Sequence, residues 1–144
     1  MNNGPFMRLP LIFLAPLLLS GCFIETSTYV IDLNTDHAIT LKVEKDNFWT
    51  KEGTLRVVMS RLPDCQRQYE LGSVWLADLQ VELFGNGNNV YTLRADDQAW
   101  QIDTTTCSEL KAPDPDAVTG LPLGSFTLNS DNKLNFEKPE AASE

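Results

Sequence analysis

Histidine is nearly missing from this 144-residue chain, and His37 is the only one. A zinc site of clustered His and Cys ligands therefore has no basis in the sequence. A Ser-His-Asp triad would have to be built on His37, yet no nucleophile motif surrounds it and no Gly-x-Ser-x-Gly occurs. Gly85-Asn86-Gly87 lacks the Lys-Ser/Thr pair of a phosphate-binding loop. No cofactor or metal is expected. Basic residues are also scarce, with 11 Lys+Arg against 20 Asp+Glu and a formal charge of −9. Such a surface repels nucleic acid and anionic lipid, while a cationic protein or a divalent ion remains compatible. The same acidity also serves plain solubility. No heptad pattern or internal repeat is present. No apolar run approaches the ~20 residues needed for a membrane-spanning helix. The longest, residues 9–19, is interrupted by Pro10 and Pro16.

That short run ends in Leu19-Ser20-Gly21-Cys22. An apolar core closing on small residues is the pattern of a signal peptide. The four residues resemble the lipobox of bacterial lipoproteins: an aliphatic residue, two small ones, then the cysteine that receives the lipid. The resemblance covers only residues 19–22. It implies that residues 1–21 are removed and that Cys22 carries a diacylglyceryl thioether and an N-acyl chain. More than one chain makes anchoring durable, since each buried methylene adds about 0.8 kcal/mol. A generic secretion signal with a coincidental cysteine is the competing reading. Phe23 follows the cysteine, and the absence of Asp there favours the outer membrane, on its periplasmic side, by the enteric sorting rule. Arg8 is the only charge of the leader and directly follows Met7, so translation is expected to begin at Met7 rather than Met1. Removing residues 1–21 takes away Arg8 and no acidic residue, which leaves a charge of −10.

Two further cysteines remain, Cys65 and Cys107. An exported domain with an even remainder points to one structural disulfide. A metal or redox pair is the alternative, although neither cysteine has a Cys-x-x-Cys partner. A disulfide also favours a periplasm over a Gram-positive wall.

The mature chain is long enough for one domain with a modest core. Residues 22–35 are expected to hold a lipidated tether and a first strand, residues 36–137 a single β-rich domain, and residues 138–144 a disordered tail. Period-two alternation marks strands with one buried face. Ile39, Leu41 and Val43 alternate with Thr40, Lys42 and Glu44, and Leu55, Val57 and Met59 with Arg56, Val58 and Ser60. Ala77, Leu79, Val81 and Leu83 continue the pattern, with a helix over 74–84 as the rival. The turn at residues 85–89 carries an Asn-Gly pair suited to positive φ. Residues 90–95 and, after Asp96-Asp97-Gln98, residues 99–103 complete a three-stranded antiparallel meander over 77–103, with Trp100 and Ile102 on one side. The proline-rich stretch 112–122 is expected to be a connector, because its prolines exclude a central strand. A last hairpin joins 125–128 to 133–136 across Asn129-Ser130-Asp131-Asn132. The expected fold is mainly β, a small antiparallel β-sandwich or open barrel with at most one short helix.

Candidate chemistry is thin. Asp96 with Asp97 and Asp114 with Asp116 are paired carboxylates, but neighbours in a turn point apart, whereas glycosidase chemistry needs carboxylates facing across a cleft. Asp131 lacks the spacing of a calcium loop. His37 at a strand edge is expected to be an ordinary surface residue. Trp49, Trp75, Trp100, Tyr69, Tyr91 and Phe84 give a better clue to binding. Phe84 falls on the polar face with Asp78, Gln80 and Glu82, either as an interface anchor or as core of a second layer. The leading expectation is a non-enzymatic envelope lipoprotein, attached to the membrane through Cys22 and binding another envelope protein. Two others follow: a ligand-binding or inhibitor module, for example against a cationic wall-degrading enzyme, and an enzyme with a dispersed carboxylate site.

Overall fold

In a computed structural model of the chain, residue 4 and residues 22–47 and 49–140 are described. Residues 1–21 apart from Gly4, where a signal peptide is expected, lie outside the described residues, as do Phe48 and residues 141–144. Among the described residues ten strands form two antiparallel sheets. One contains β1 (Phe23–Ile31), β2 (Asn34–Lys45), β3 (Glu52–Arg61) and β4 (Cys65–Trp75) in sequence order. The other contains β5 (Gln80–Gly87), β6 (Val90–Ala95), β7 (Gln98–Asp103), β8 (Ser108–Leu110), β9 (Leu121–Leu128) and β10 (Leu134–Glu137), in the order β10-β9-β5-β6-β7-β8. The sheets stay separate rather than closing into a barrel, so the sandwich is the realised form.

The alternating apolar residues meet between the sheets. Ile39, Leu41, Val43, Leu55, Val57 and Met59 from the first are fully buried against Val81, Leu83, Leu93, Ile102 and Phe126 from the second. Trp100 is buried as well, and its indole donates to Leu71 O at 3.0 Å, which satisfies the polar end of a core side chain. At the edge where β1 runs beside β10, the Glu25 carboxylate accepts from Leu134 N (3.2 Å) and Lys133 Nζ (3.3 Å). Tyr29 and Phe126 flank Phe136 there, with ring centres 5.1 and 4.9 Å away. At the other edge, Cys65, the first residue of β4, is bonded to Cys107 in the β7–β8 turn, so the expected disulfide ties the two sheets together.

The meander is present as β5, β6 and β7, with Tyr91 opposite Ile102 and Leu93 opposite Leu83 and Trp100. Its start differs from expectation. Residues 74–84 form neither a helix nor one strand: Trp75 ends β4, Asp78 takes φ +55, and β5 begins at Gln80. Leu79 is nonetheless buried, which explains why it fitted the alternation. The hairpin tip lies within the expected 85–89 turn, at its end rather than at the Asn-Gly pair. Asn88 and Asn89 take the positive φ angles (54 and 63), the pairing suited to a two-residue turn. Asn86 instead accepts from the Thr92 hydroxyl at 2.7 Å and donates to Thr119 O at 2.9 Å.

Pro122 lies inside β9, a strand with neighbours on both sides, contrary to the exclusion drawn from the prolines. The physical reason is local. β10 pairs only with residues 125–128, and the β5 register shifts between Leu83 and Phe84, opposite the proline, so the missing N–H costs no ladder bond on the β10 side. The connector before β9 holds a single 3-10 turn, Pro115–Ala117, capped by Asp114 Oδ1 accepting from Asp116 N at 2.9 Å. Through Arg94 to Pro115 O (3.4 Å) and Asn86 to Thr119 O, it is strapped over the outer face of the second sheet.

No residue between Cys22 and the first strand serves as a tether, because β1 begins at Phe23. Cys22 itself is exposed and takes no part in a disulfide.

Candidate functional site

The strand ends divide the molecule into two poles. At one pole lie the start of β1, the end of β2, the start of β3, the end of β4 and the β9–β10 turn. Phe23, Lys45, Lys51, Trp75, Asp78 and Asn129 from these segments, with Trp49, line a cleft of about 820 Å³. Trp49 is 65% exposed and Trp75 is 55% exposed, while Phe23 is half-buried and packs on the core. The β9–β10 turn holds its shape through Asn129 Oδ1, which accepts from Asp131 N (3.0 Å) and Lys133 N (2.9 Å). Asp131 is thus part of an Asx-type turn. Leu76 N donates to Lys51 O at 3.0 Å and fixes the segment before β3 against the end of β4.

The opposite pole carries the disulfide, the β1–β2 turn and the β3–β4 turn. Leu33 is 97% exposed and Leu62 is 48% exposed on those two turns. Here His37 is a correction to expectation: it is buried rather than a surface residue. Its Nε2 lies 2.9 Å from Thr104 Oγ1, and the Thr104 hydroxyl donates to Asn89 O at 3.2 Å. A hydroxyl that donates to Asn89 accepts from a protonated Nε2, whereas the other tautomer of His37 would take the hydroxyl proton itself. The contact spans the two sheets, and Thr104 is itself fully buried. Burial, followed by the nearby Arg61 charge, holds the imidazole pKa below its ordinary value, against an opposing pull from Asp32. His37 therefore acts as a neutral tie between the layers.

The paired carboxylates do not face one another across a cleft. Asp96 and Asp97 are exposed at the β6–β7 turn, and Asp114 is engaged in capping its own connector. Among the described residues no group of three or more His, Cys, Asp and Glu side chains is placed to hold a metal ion. Phe84 lies half-buried on the outer face of the second sheet, with the Arg94 guanidinium 5.1 Å from its ring centre. Arg94 in turn pairs with Glu82 at 2.6 Å. Part of the Phe84 ring is thereby covered from within the chain, and the rest borders a shallow groove beside Pro122 and Glu137. On the outer face of the first sheet, Arg56 pairs with Glu44 and lies 3.4 Å from Glu70, a charged ladder of three strands.

No protein-family model matches this sequence, and neither a curated protein nor a solved structure is significantly similar to it. The geometry and the local sequence motifs therefore carry the functional argument by themselves. The tryptophan cleft has a sequence signal in Trp49 and Trp75, but nothing local to either residue announces that they share one pole with Phe23.

Proposed function

We propose that the chain is an exported lipoprotein of the bacterial cell envelope, held at the periplasmic side of the outer membrane by an acylated Cys22. Its acidic β-sandwich acts there as a non-enzymatic module that binds another envelope protein. The lipobox-like Leu19-Ser20-Gly21-Cys22 carries this reading. The sandwich agrees with it in two ways. Its first strand starts at Phe23, immediately after the proposed cleavage and lipidation point, so removal of residues 1–21 costs none of the ten strands. Its one disulfide suits an oxidising compartment.

A protein-binding role draws on the exposed leucines of the pole remote from Cys22. Leu33 and Leu62 stand on turns that a partner can reach without meeting the membrane. They offer a partner apolar area, and the polar residues around them can serve as its rim. The net charge of −10 left after removal of residues 1–21 favours a cationic face on that partner.

In-cell crosslinking followed by capture from detergent-solubilised envelope tests the proposal. One partner enriched with the wild type, and lost with both Cys22→Ala and Leu33→Asp, is the expected result. Capture that is indifferent to both substitutions would refute it. Salt-sensitive inhibition of a cationic wall hydrolase by the purified domain would favour the inhibitor role instead.

A further inference from the structure

We infer that the pole bearing Trp49 and Trp75 lies in the headgroup layer of the bilayer, so that the sandwich stands end-on on the membrane rather than swinging from a leash. The inference rests on the lipoprotein reading of Cys22 and adds an orientation and a contact surface to it.

Consecutive Cα atoms are about 3.8 Å apart, and Phe23 is already the first residue of β1, paired with Lys45. An acylated Cys22 with its chains in the hydrocarbon leaves no slack, so the pole containing Phe23 must meet the interface. Of all surfaces on the molecule, this one is built for it. Trp49 and Trp75 are exposed there, and Ile24, on the outer side of β1 next to the anchor, is 48% exposed. Indole rings favour the membrane–water interface, where an apolar body meets lipid and the N–H meets water.

Charge does not drive the contact. Lys45 and Lys51 at this pole are matched by Asp46 in the same loop and Asp78 across the cleft. Docking is therefore expected on zwitterionic lipid and to be insensitive to salt, unlike the polybasic attachment that follows anionic lipid.

The protein carries its own reference probe. Its third tryptophan, Trp100, is only 7% exposed in the core and stays away from lipid. Full-length lipidated protein is reconstituted into phosphatidylcholine vesicles with bromine on the upper acyl chain. Flotation and the mass of the Cys22 peptide are recorded on the same sample. The wild type is expected to show blue-shifted, strongly quenched emission, and the Trp49→Phe/Trp75→Phe double variant is expected to lose the quenching while floating unchanged. Both substituted side chains lie outside the core, and an unchanged circular dichroism spectrum and melting temperature establish that the variant is folded. Protein that floats with acylated Cys22 but keeps unquenched emission would overturn the end-on docking and leave the lipoprotein reading intact. A wild type quenched no more than the double variant would overturn it as well, and would leave this pole to a protein partner. Absence of acyl mass on Cys22 would remove both.

Discussion

Replacing both bridging cysteines in Cys65→Ala/Cys107→Ala tests how the two sheets are held together. The bridge closes a loop with a sequence separation of 42. Loop-closure entropy for that length amounts to about 4 kcal/mol at 25 °C, lost when the unfolded chain is freed. The local structure adds to the cost, because Cys107 is fully buried and its carbonyl accepts from Tyr69 Oη at 3.0 Å. For a domain of this size, 4 kcal/mol corresponds to a fall in melting temperature of roughly 10–20 °C. Urea unfolding of the oxidised wild type and the double variant, both followed by tryptophan emission, measures the difference. The urea dependence of stability should also steepen in the variant, since an uncrosslinked unfolded chain exposes more surface. A loss below about 1 kcal/mol would refute the loop-closure argument. Two reactive thiols at Cys65 and Cys107 in the native wild type would refute the bridge itself.

Two further substitutions probe features far from that bridge. Gly124 takes φ +143, and a Cβ there would lie 2.3 Å from Glu137 O and 2.6 Å from the Phe136 ring, so Gly124→Ala should cost about 2–4 kcal/mol from backbone strain and overpacking; an unchanged urea midpoint would contradict the close approach of β10 to β9. His37 binds its proton less readily in the folded chain than in the unfolded one. The stability it contributes is therefore complete above the ordinary histidine pKa of ~6.5 and is lost as pH falls below it, because the unfolded chain then takes up the proton first. His37→Asn should flatten the dependence of urea stability on pH across that window, and an identical slope in the variant would show that His37 does not set it.

Much of the sandwich is legible in the sequence wherever a strand has one face in the core and the other in water. The alternations at 39–43 and 55–59 are of this kind, and they became β2 and β3 with their apolar side chains fully buried. β4 escaped notice because it is the edge strand of its sheet and opens on Gln66-Arg67-Gln68, all exposed, so period two is weak along half its length. β8 is short and lies at the edge of the other sheet. The β5–β6 turn falls within the expected residues 85–89, but Asn86 does not take positive φ there, because its partners Thr92 and Thr119 outweigh its local preference. His37 shows the same limit. Its burial depends on Thr104, 67 residues away across the sandwich, and no local pattern encodes that pairing.

The candidate sites divide in the same way. The lipobox is a contiguous signal and needs no fold to be read. The cleft is assembled from Phe23, Trp49, Trp75 and the turn at Asn129, which only the meeting of both sheets at one pole brings together. Phe84 stands out in the sequence by its position on a polar face, and the fold gives it Arg94 as a cover.

The acylation of Cys22 is the central claim, and mass spectrometry of the membrane-extracted protein tests it most directly. Cleavage after Glu25 releases the N-terminal peptide Cys22-Phe23-Ile24-Glu25. The account predicts that this peptide begins at Cys22 and carries a diacylglyceryl group on sulfur, with a further acyl chain on the new amino group. A mature chain that starts elsewhere, or a Cys22 peptide with a free thiol, would contradict it.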